Sequence, residues 1–412
     1  MNTIELLAPA GDLTKLKMAI LYGADAVYIG GEAFGLRTAS KNFSLPQMEE
    51  GIRFAHERGK KVYLTTNIIP HNADLEGFCA YLDAVVSLGI DAVIVADLGL
   101  FTLIHERHPD LHIHISTQAN NTNYLSAKAW YNMGAQRVVL ARELSLAEIR
   151  QIRDNTPSEL EIEAFVHGAM CISYSGRCLL SNYLTGRDAN KGECAQPCRW
   201  NYALVEEKRP GEYIHIGEDE QGSFFFNSKD LCMIDHIPEL VQSGITSFKI
   251  EGRVKSEYYV ATVVKAYREE IDRYLSDPAH YQFNPENLNE VLKVSHRPYT
   301  HGFYFGKTDA NAQVYETSSY IRDYDIVGFV TAYDETTGIA TVEQRNKFSV
   351  GDTVEVIQPG KPYFSQKVTW LKNEASEAIT STPHAQMVFT MPLDKPAAPN
   401  AMLRKGALVS GK

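Results

Sequence analysis

Gly23-Ala24-Asp25-Ala26-Val27-Tyr28-Ile29-Gly30 runs a glycine and an acidic turn straight into a short apolar stretch. Helices commonly end on a residue with positive φ, where glycine carries no Cβ penalty. A short β-branched or apolar run bounded by turn residues fits a strand buried on both faces. The segment therefore reads as helix end, tight turn, parallel strand. The cadence returns as GIDAVIVA at 89–96, GAQRVVLA at 134–141 and GITSFKIE at 244–251.

Working outward from these four points yields eight candidate strands, at 4–8, 25–30, 61–66, 92–97, 112–117, 137–141, 160–166 and 246–251. Helical patterns lie between most of them. Two helix starts carry the reciprocal Ser-x-x-Gln/Glu capping pattern, Ser44 with Gln47 and Ser145 with Glu148. Eight strands with crossover helices predict a (β/α)8 TIM-like barrel of class α/β. A doubly wound open sheet is the alternative, but no GxGxxG fingerprint is present to support a dinucleotide site. The barrel is expected over 1–277, with a Cys-rich insertion after strand seven at about 168–230. A helix at about 256–276 presents Val260, Val263, Val264, Tyr267, Ile271 and Tyr274 on one face. A connector over 278–320 leads to short alternating runs from Asp325 onward, which predict a small all-β barrel domain over 321–412.

The chain carries a formal charge of −11, which argues against indiscriminate nucleic-acid binding through a positive surface. The end module is neutral, with ten basic and ten acidic residues from 320 onward. A local patch there or elsewhere is compatible with an RNA partner. The N-terminus lacks a basic segment followed by an apolar core, and no apolar run approaches the ~20 residues of a membrane span. A cytoplasmic protein without membrane association is expected.

Four of the six cysteines fall within one segment, Cys171, Cys178, Cys194 and Cys198, spaced Cys-x6-Cys-x15-Cys-x3-Cys. A reducing compartment disfavours structural disulfides and favours metal or redox chemistry. Zinc knuckles prefer two close pairs, and only Cys194–Cys198 is of that kind. The tight triplet of a radical-SAM enzyme is absent. An iron–sulfur centre needs four thiolates and tolerates irregular loops, so it fits these gaps best. Cys79, mid-helix among apolar residues, is expected to be a core thiol.

The stretch Glu163-Ala-Phe-Val-His-Gly-Ala-Met-Cys171, continuing through Gly176-Arg-Cys178-Leu-Leu-Ser181, resembles peptidase family U32, the collagenase-like peptidases. The segments Leu7-Ala-Pro-Ala-Gly11, Gly186-Arg-Asp188, Cys194-Ala-Gln-Pro-Cys198-Arg-Trp200, Asn227-Ser-Lys-Asp230, Lys249-Ile-Glu-Gly-Arg253 and the run Arg297 to Gly306 extend the resemblance across about 1–310. The family label implies proteolysis. Several members are instead oxygen-independent hydroxylases with a [4Fe-4S] cluster, acting on a tRNA wobble uridine, a ribosomal-RNA cytidine or ubiquinone. The RNA-directed members draw on prephenate. With its added β module the chain is most similar to those that form 5-hydroxyuridine at the tRNA wobble position. The resemblance implies Cys171, Cys178, Cys194 and Cys198 as cluster ligands, with Cys232 as an alternate fourth ligand in place of Cys194 or Cys198. It also implies an electron donor and iron–sulfur assembly proteins as partners.

Prephenate has two carboxylates, and Arg offers bidentate geometry for each. Arg37, Arg142 and Arg253 follow strand ends and are the candidates. Each also has a structural reading, as the partner of an acid such as Glu143 or Glu251. Lys249 points into the barrel or onto its rim, with Glu251 two residues on. His167 is a candidate proton donor or ligand beside the centre, or a satisfied turn residue. Asn42, Asn67, Gln118 and Asn120 fall beyond strand ends, as substrate contacts or loop caps. Arg177, Arg187, Lys191, Arg199 and Trp200 in the insertion suit a flipped base. Arg345, Lys347, Lys361, Tyr363 and Lys367 form a weaker set in the end module.

A peptidase is the competing class. It requires a nucleophile with a base, or an open metal. Neither G-x-S-x-G nor H-E-x-x-H occurs, and the one thiol–imidazole pair on offer is Cys171 with His167. A redox or assembly partner without catalysis of its own is a third class.

Overall fold

A computed structural model describes residues 4–32, 34, 42–171, 174, 178–200, 203–205, 213–215, 228–306 and 320–406. Arg37 and Arg177 lie outside them, as do the side chains of Lys191 and Arg199.

Seven parallel strands follow in chain order: β1 (Glu5–Pro9), β2 (Ala26–Gly30), β3 (Lys61–Thr66), β4 (Ala92–Val95), β5 (His112–Ile115), β6 (Arg137–Val139) and β7 (Glu161–Ala169). Helices α1 (Leu13–Leu21), α2 (Leu45–His56), α3 (Phe78–Ser87), α4 (Leu98–Arg107), α5 (Tyr124–Asn132) and α6 (Leu146–Asp154) cross between them. The insertion holds α7 (Leu180–Thr185), the hairpin β8 (Ala203–Val205) and β9 (Tyr213–His215), then β10 (Asp230–Cys232) and α8 (Ile237–Gln242). Next comes β11 (Ser247–Ile250), parallel to both β7 and β1, which closes an eight-stranded barrel. The sheet is a closed ring, not an open doubly wound one.

The glycine cadence explains itself here. Gly23, Gly89, Gly134 and Gly244 have φ of 115°, 84°, 111° and 89°, each turning a helix end into the next strand. Both capping boxes form. The Ser44 amide donates to Gln47 Oε1 at 3.2 Å, and the Ser145 amide to Glu148 Oε2 at 2.8 Å.

The barrel interior holds a buried ionic cluster beside a small apolar one of Leu7, Ala26, Tyr28, Tyr63, Ala92 and Ile94, where such barrels usually stack branched apolar residues throughout. Arg137 is buried and bonded to Glu5, Glu161 and Glu163. Glu163 also accepts from Lys249 at 2.6 Å, and Tyr63 donates to Glu5 at 2.6 Å. The larger apolar core lies outside the ring, between strands and helices. Helix α9 (Glu257–Ser276) covers it with Val260, Val263, Val264, Tyr267, Ile271 and Tyr274, the face read from periodicity, and with Tyr259.

Helix α10 (Pro285–Leu292) and β12 (Tyr299–Thr300) precede the end module, where β12 pairs with β10. The module comprises β13 (Tyr324–Asp334), β14 (Ile339–Gln344), β15 (Thr353–Gln358), β16 (Lys361–Lys367), β17 (Leu371–Asn373), β18 (Ala378–Ile379), β19 (Val388–Pro392) and β20 (Met402–Gly406). They form one sheet ordered β16-β15-β20-β13-β14-β19-β17-β18. An antiparallel bridge between Ser349 and Ser381 joins the approach to β15 with the exit from β18 and closes it around its own core. The longest helix is α9, and among the described residues no helix is long and apolar enough to cross a membrane.

Candidate active site at the barrel mouth

The C-terminal ends of the strands open into a cavity of about 430 Å³. Its floor and walls come from Tyr28, Thr65, Asn67, Ser116, Gln118, Phe165, Lys249 and Glu251 at the strand ends. The insertion folds back over it and contributes Cys171, Cys178, Cys194 and Cys198. All six cysteines of the chain are unbridged. Four soft thiols from one loop system thus line a single cavity, a donor set that suits an iron–sulfur centre. The Gln196 amide donates to Cys194 Sγ at 3.4 Å. A backbone N–H on a thiolate is the kind of hydrogen bond that tunes cluster thiolates.

Cys232 stands apart. It is buried against Tyr267, and burial pushes its thiol up to about 12. Cys232 does not line the cavity among the described residues. The expected alternate ligand is therefore placed behind the barrel wall. Cys79 is half-buried on α3.

His167 is also displaced from its expected place. Strand β7 runs on to Ala169 because β10 returns antiparallel beside it, pairing Cys232 with His167. His167 therefore sits within the strand, buried, with Tyr259, Tyr267 and Tyr299 around its ring. Its Nε2 is 3.4 Å from Tyr299 Oη. Burial, then the charges of His296 and Lys255, pushes its pKa down to about 3. It neither lines the cavity nor stands ready as a proton donor, and it cannot serve Cys171 as a base from there. No histidine lines the cavity among the described residues.

The cations do converge. Arg142 lies over the Phe165 ring at 3.8 Å and donates to Glu251 at 3.0 Å. Arg253 is buried, donating to Thr65 Oγ1 at 3.0 Å and Asn42 Oδ1 at 3.1 Å. Two glycines make room for it. A Cβ on Gly30 would fall 2.1 Å from its guanidinium, and one on Gly11 would fall 2.1 Å from its carbonyl oxygen. Lys249 points inward and pairs with Glu163, not with Glu251. Lys255, which sequence reasoning missed, lines the cavity with its ammonium 3.9 Å from the Tyr320 ring centre. Its signal was weak, because Lys255 lies beyond a strand end in a loop with no motif of its own. The charged residues lining the cavity are thus Arg142, Lys249, Arg253 and Lys255 against Glu251.

Of the amides, Asn67 bonds Ser116 and lines the cavity, as does Gln118. Asn120, at φ 54°, caps the short turn Thr117–Ala119. In the insertion Arg187 is exposed, and Trp200, Tyr174 and Tyr183 present exposed rings. In the end module Lys347, Lys361 and Lys367 are exposed. Arg345 is paired with Glu343, and Tyr363 packs under Lys293, so those two belong to local packing.

Comparison with known proteins places the chain in a family. The model for Peptidase family U32 matches residues 11–314, and that for the Peptidase family U32 C-terminal domain matches 322–404. The chain is 42% identical to tRNA hydroxylation protein P1 of Bacillus subtilis, over 98% of this chain and 94% of that protein. It is 40% identical to tRNA hydroxylation protein P of Escherichia coli, over 92% of this chain and 91% of that one. A protein of Methanocaldococcus jannaschii described as an uncharacterized protease is 44% identical over 87% of each chain.

Proposed function

The chain belongs to peptidase family U32, and we propose that within it this protein is an RNA-modifying hydroxylase. The finer reading is oxygen-independent formation of 5-hydroxyuridine at the tRNA wobble position, with a [4Fe-4S] cluster and prephenate as hydroxyl donor. One observation carries it: four unbridged cysteines and four cationic side chains line a single cavity at the barrel mouth. The relatives named for tRNA hydroxylation support the substrate class.

Cys171, Cys178, Cys194 and Cys198 would hold the cluster, which when bound supplies one-electron redox chemistry. Arg142, Arg253 and Lys255 give a dicarboxylate its counter-charge, and the arginines offer planar forks for it. Glu251 holds Arg142 in place. Phe165 and Tyr28 exclude water from one wall. Arg187 and the exposed rings of Tyr183 and Trp200 give an extruded base a place to stack before it enters. Proteolysis finds less support, since the described cavity lining contains neither a thiol–imidazole pair nor a serine with a base.

The test is mass spectrometry of bulk tRNA from a deletion strain. Loss of the hydroxyuridine-derived nucleosides, restored by the intact gene and not by one encoding Cys178→Ala, is the expected result. Unchanged tRNA would remove the proposal.

A further inference from the structure

A second cluster of ligating side chains lies away from the cysteines. Strand β10 and the short β12 run parallel, pairing Asp230 with Tyr299 and Leu231 with Thr300. The chain leaves β10 through the turn Ile234–His236 and leaves β12 at His301. The pairing thereby brings Asp235, His236 and His301 to one point. One ligand atom from each lies within 4.8 Å of the other two. Asp235 Oδ2 is 3.7 Å from His236 Nε2 and 3.6 Å from His301 Nε2.

Those separations are too long for direct hydrogen bonds. They match a shared cation instead. Two ligands about 2.1 Å from a tetrahedral metal stand about 3.4 Å apart. The orientation agrees. His236 Nδ1 lies 3.1 Å from Glu239 Oε1. A carboxylate on one ring nitrogen holds the tautomer that leaves the other nitrogen's lone pair for a metal. The Phe305 ring packs against both imidazoles, 4.6 Å from His236 and 5.5 Å from His301, and walls one side.

We propose that Asp235, His236 and His301 form a binding site for a divalent transition-metal ion of the zinc class, with Glu239 as the positioning residue behind His236. Three protein ligands leave a position for water or an outside donor. The ion ties the exit of β10 to the exit of β12, across the outer side of the wall that carries the cavity. The inference is independent of the hydroxylase reading, because none of these residues lines the barrel mouth.

The probe is zinc, with cobalt as its coloured substitute, titrated into the anaerobically purified full chain and followed by metal per chain. Wild type is expected to bind one equivalent beyond whatever the cysteines hold. The cobalt form of that equivalent should show d–d bands without thiolate charge-transfer bands. The pair His236→Ala/His301→Ala should lose that equivalent and keep the iron content of wild type. Glu239→Gln should retain it with affinity weakened about 10–100-fold. An extra equivalent that persists in the double variant at unchanged affinity overturns the site. So does one with thiolate bands, or none in wild type. Should the double variant fold poorly, the affinity of Glu239→Gln decides alone, and an unchanged value counts against the proposal.

Discussion

At the scale of single residues, the cavity separates side chains that look alike in sequence. Cys232 and the four mouth cysteines are all thiols, but only the four share a wall of one cavity. If Cys171, Cys178, Cys194 and Cys198 hold the proposed cluster, replacing any one of them by Ala should strip most of the iron and the visible absorbance. Cys232→Ala should keep both, and elemental analysis of anaerobic preparations decides it. Arg253 makes a second contrast. Its buried fork reaches Thr65 and Asn42 at once, which a lysine cannot reproduce. On the proposed function, Arg253→Lys should raise KM for the proposed dicarboxylate donor at least about tenfold, equivalent to about 1.4 kcal/mol, while the content of any bound iron stays constant. An unchanged KM would remove Arg253 from the donor site. His167 gives a pH prediction. Its folded pKa of about 3 lies below the ordinary value near 6.5. The unfolded chain therefore takes up a proton that the folded one refuses, and stability falls as pH drops from about 6.5 toward 3. The slope is about 1.4 kcal/mol per pH unit for this group. Buried His114 acts in the same direction. Urea unfolding at pH 7 and pH 5 should show the loss, and His167→Phe should flatten part of it. An identical slope in that variant would contradict the assignment.

At the scale of elements, the tight junction between β7 and β11 sets the geometry of the mouth. Gly168 has φ 111°, and a Cβ there would fall 2.4 Å from the backbone oxygen of Glu251. Backbone cannot swing aside as a flexible side chain can. Gly168→Ala should cost about 3 kcal/mol and displace Glu251, with Arg142 following. A denaturation midpoint within error of wild type would show that the junction yields. This junction also marks what sequence could and could not reveal. Strands read from the glycine cadence were legible because a positive-φ turn and a two-sided buried strand each demand particular residue types. The cysteine set was legible because four thiols in one loop system have few other uses. The place of His167 was not, since it depends on β10 returning beside β7, a pairing made by residues some sixty positions away. Lys255 escaped for a similar reason. Its role comes from the convergence of Tyr320 and the barrel rim, and no local pattern signals that. The charged cluster inside the barrel was half visible. Lys249 demanded a partner, but the nearby Glu251 was the wrong one, because alternation along β7 aims Glu163 inward, two residues before the Phe165 that pairs with Lys249, within reach of its ammonium.

At the scale of the molecule, the end module is fastened to the barrel by a buried charge. Arg404 on β20 is fully buried and bonds Glu290 of α10 and Glu355 of β15. Lys293 also pairs with Glu355, and Tyr22 Oη lies 3.0 Å from the Asn400 carbonyl. Apolar residues of the module, Phe329, Ile357 and Met402, join the barrel's own core. The two units therefore share a core and an ion network, and should unfold together. Burial lowers the Arg404 pKa while its acidic neighbours raise it, and the neighbours prevail. The guanidinium thus stays charged at every practical pH. Removing it leaves two carboxylates to one ammonium out of water. Breaking a buried pair in this way costs about 3–5 kcal/mol, and burial makes that cost insensitive to added salt. Arg404→Ala should lower the melting temperature and split the calorimetric transition, the module melting first. Arg404→Ala with Glu290→Ala and Glu355→Ala removes charge on both sides and should recover part of the loss. A single unsplit transition within about 1 kcal/mol of wild type in Arg404→Ala would show that the apolar contacts hold the two units without the arginine.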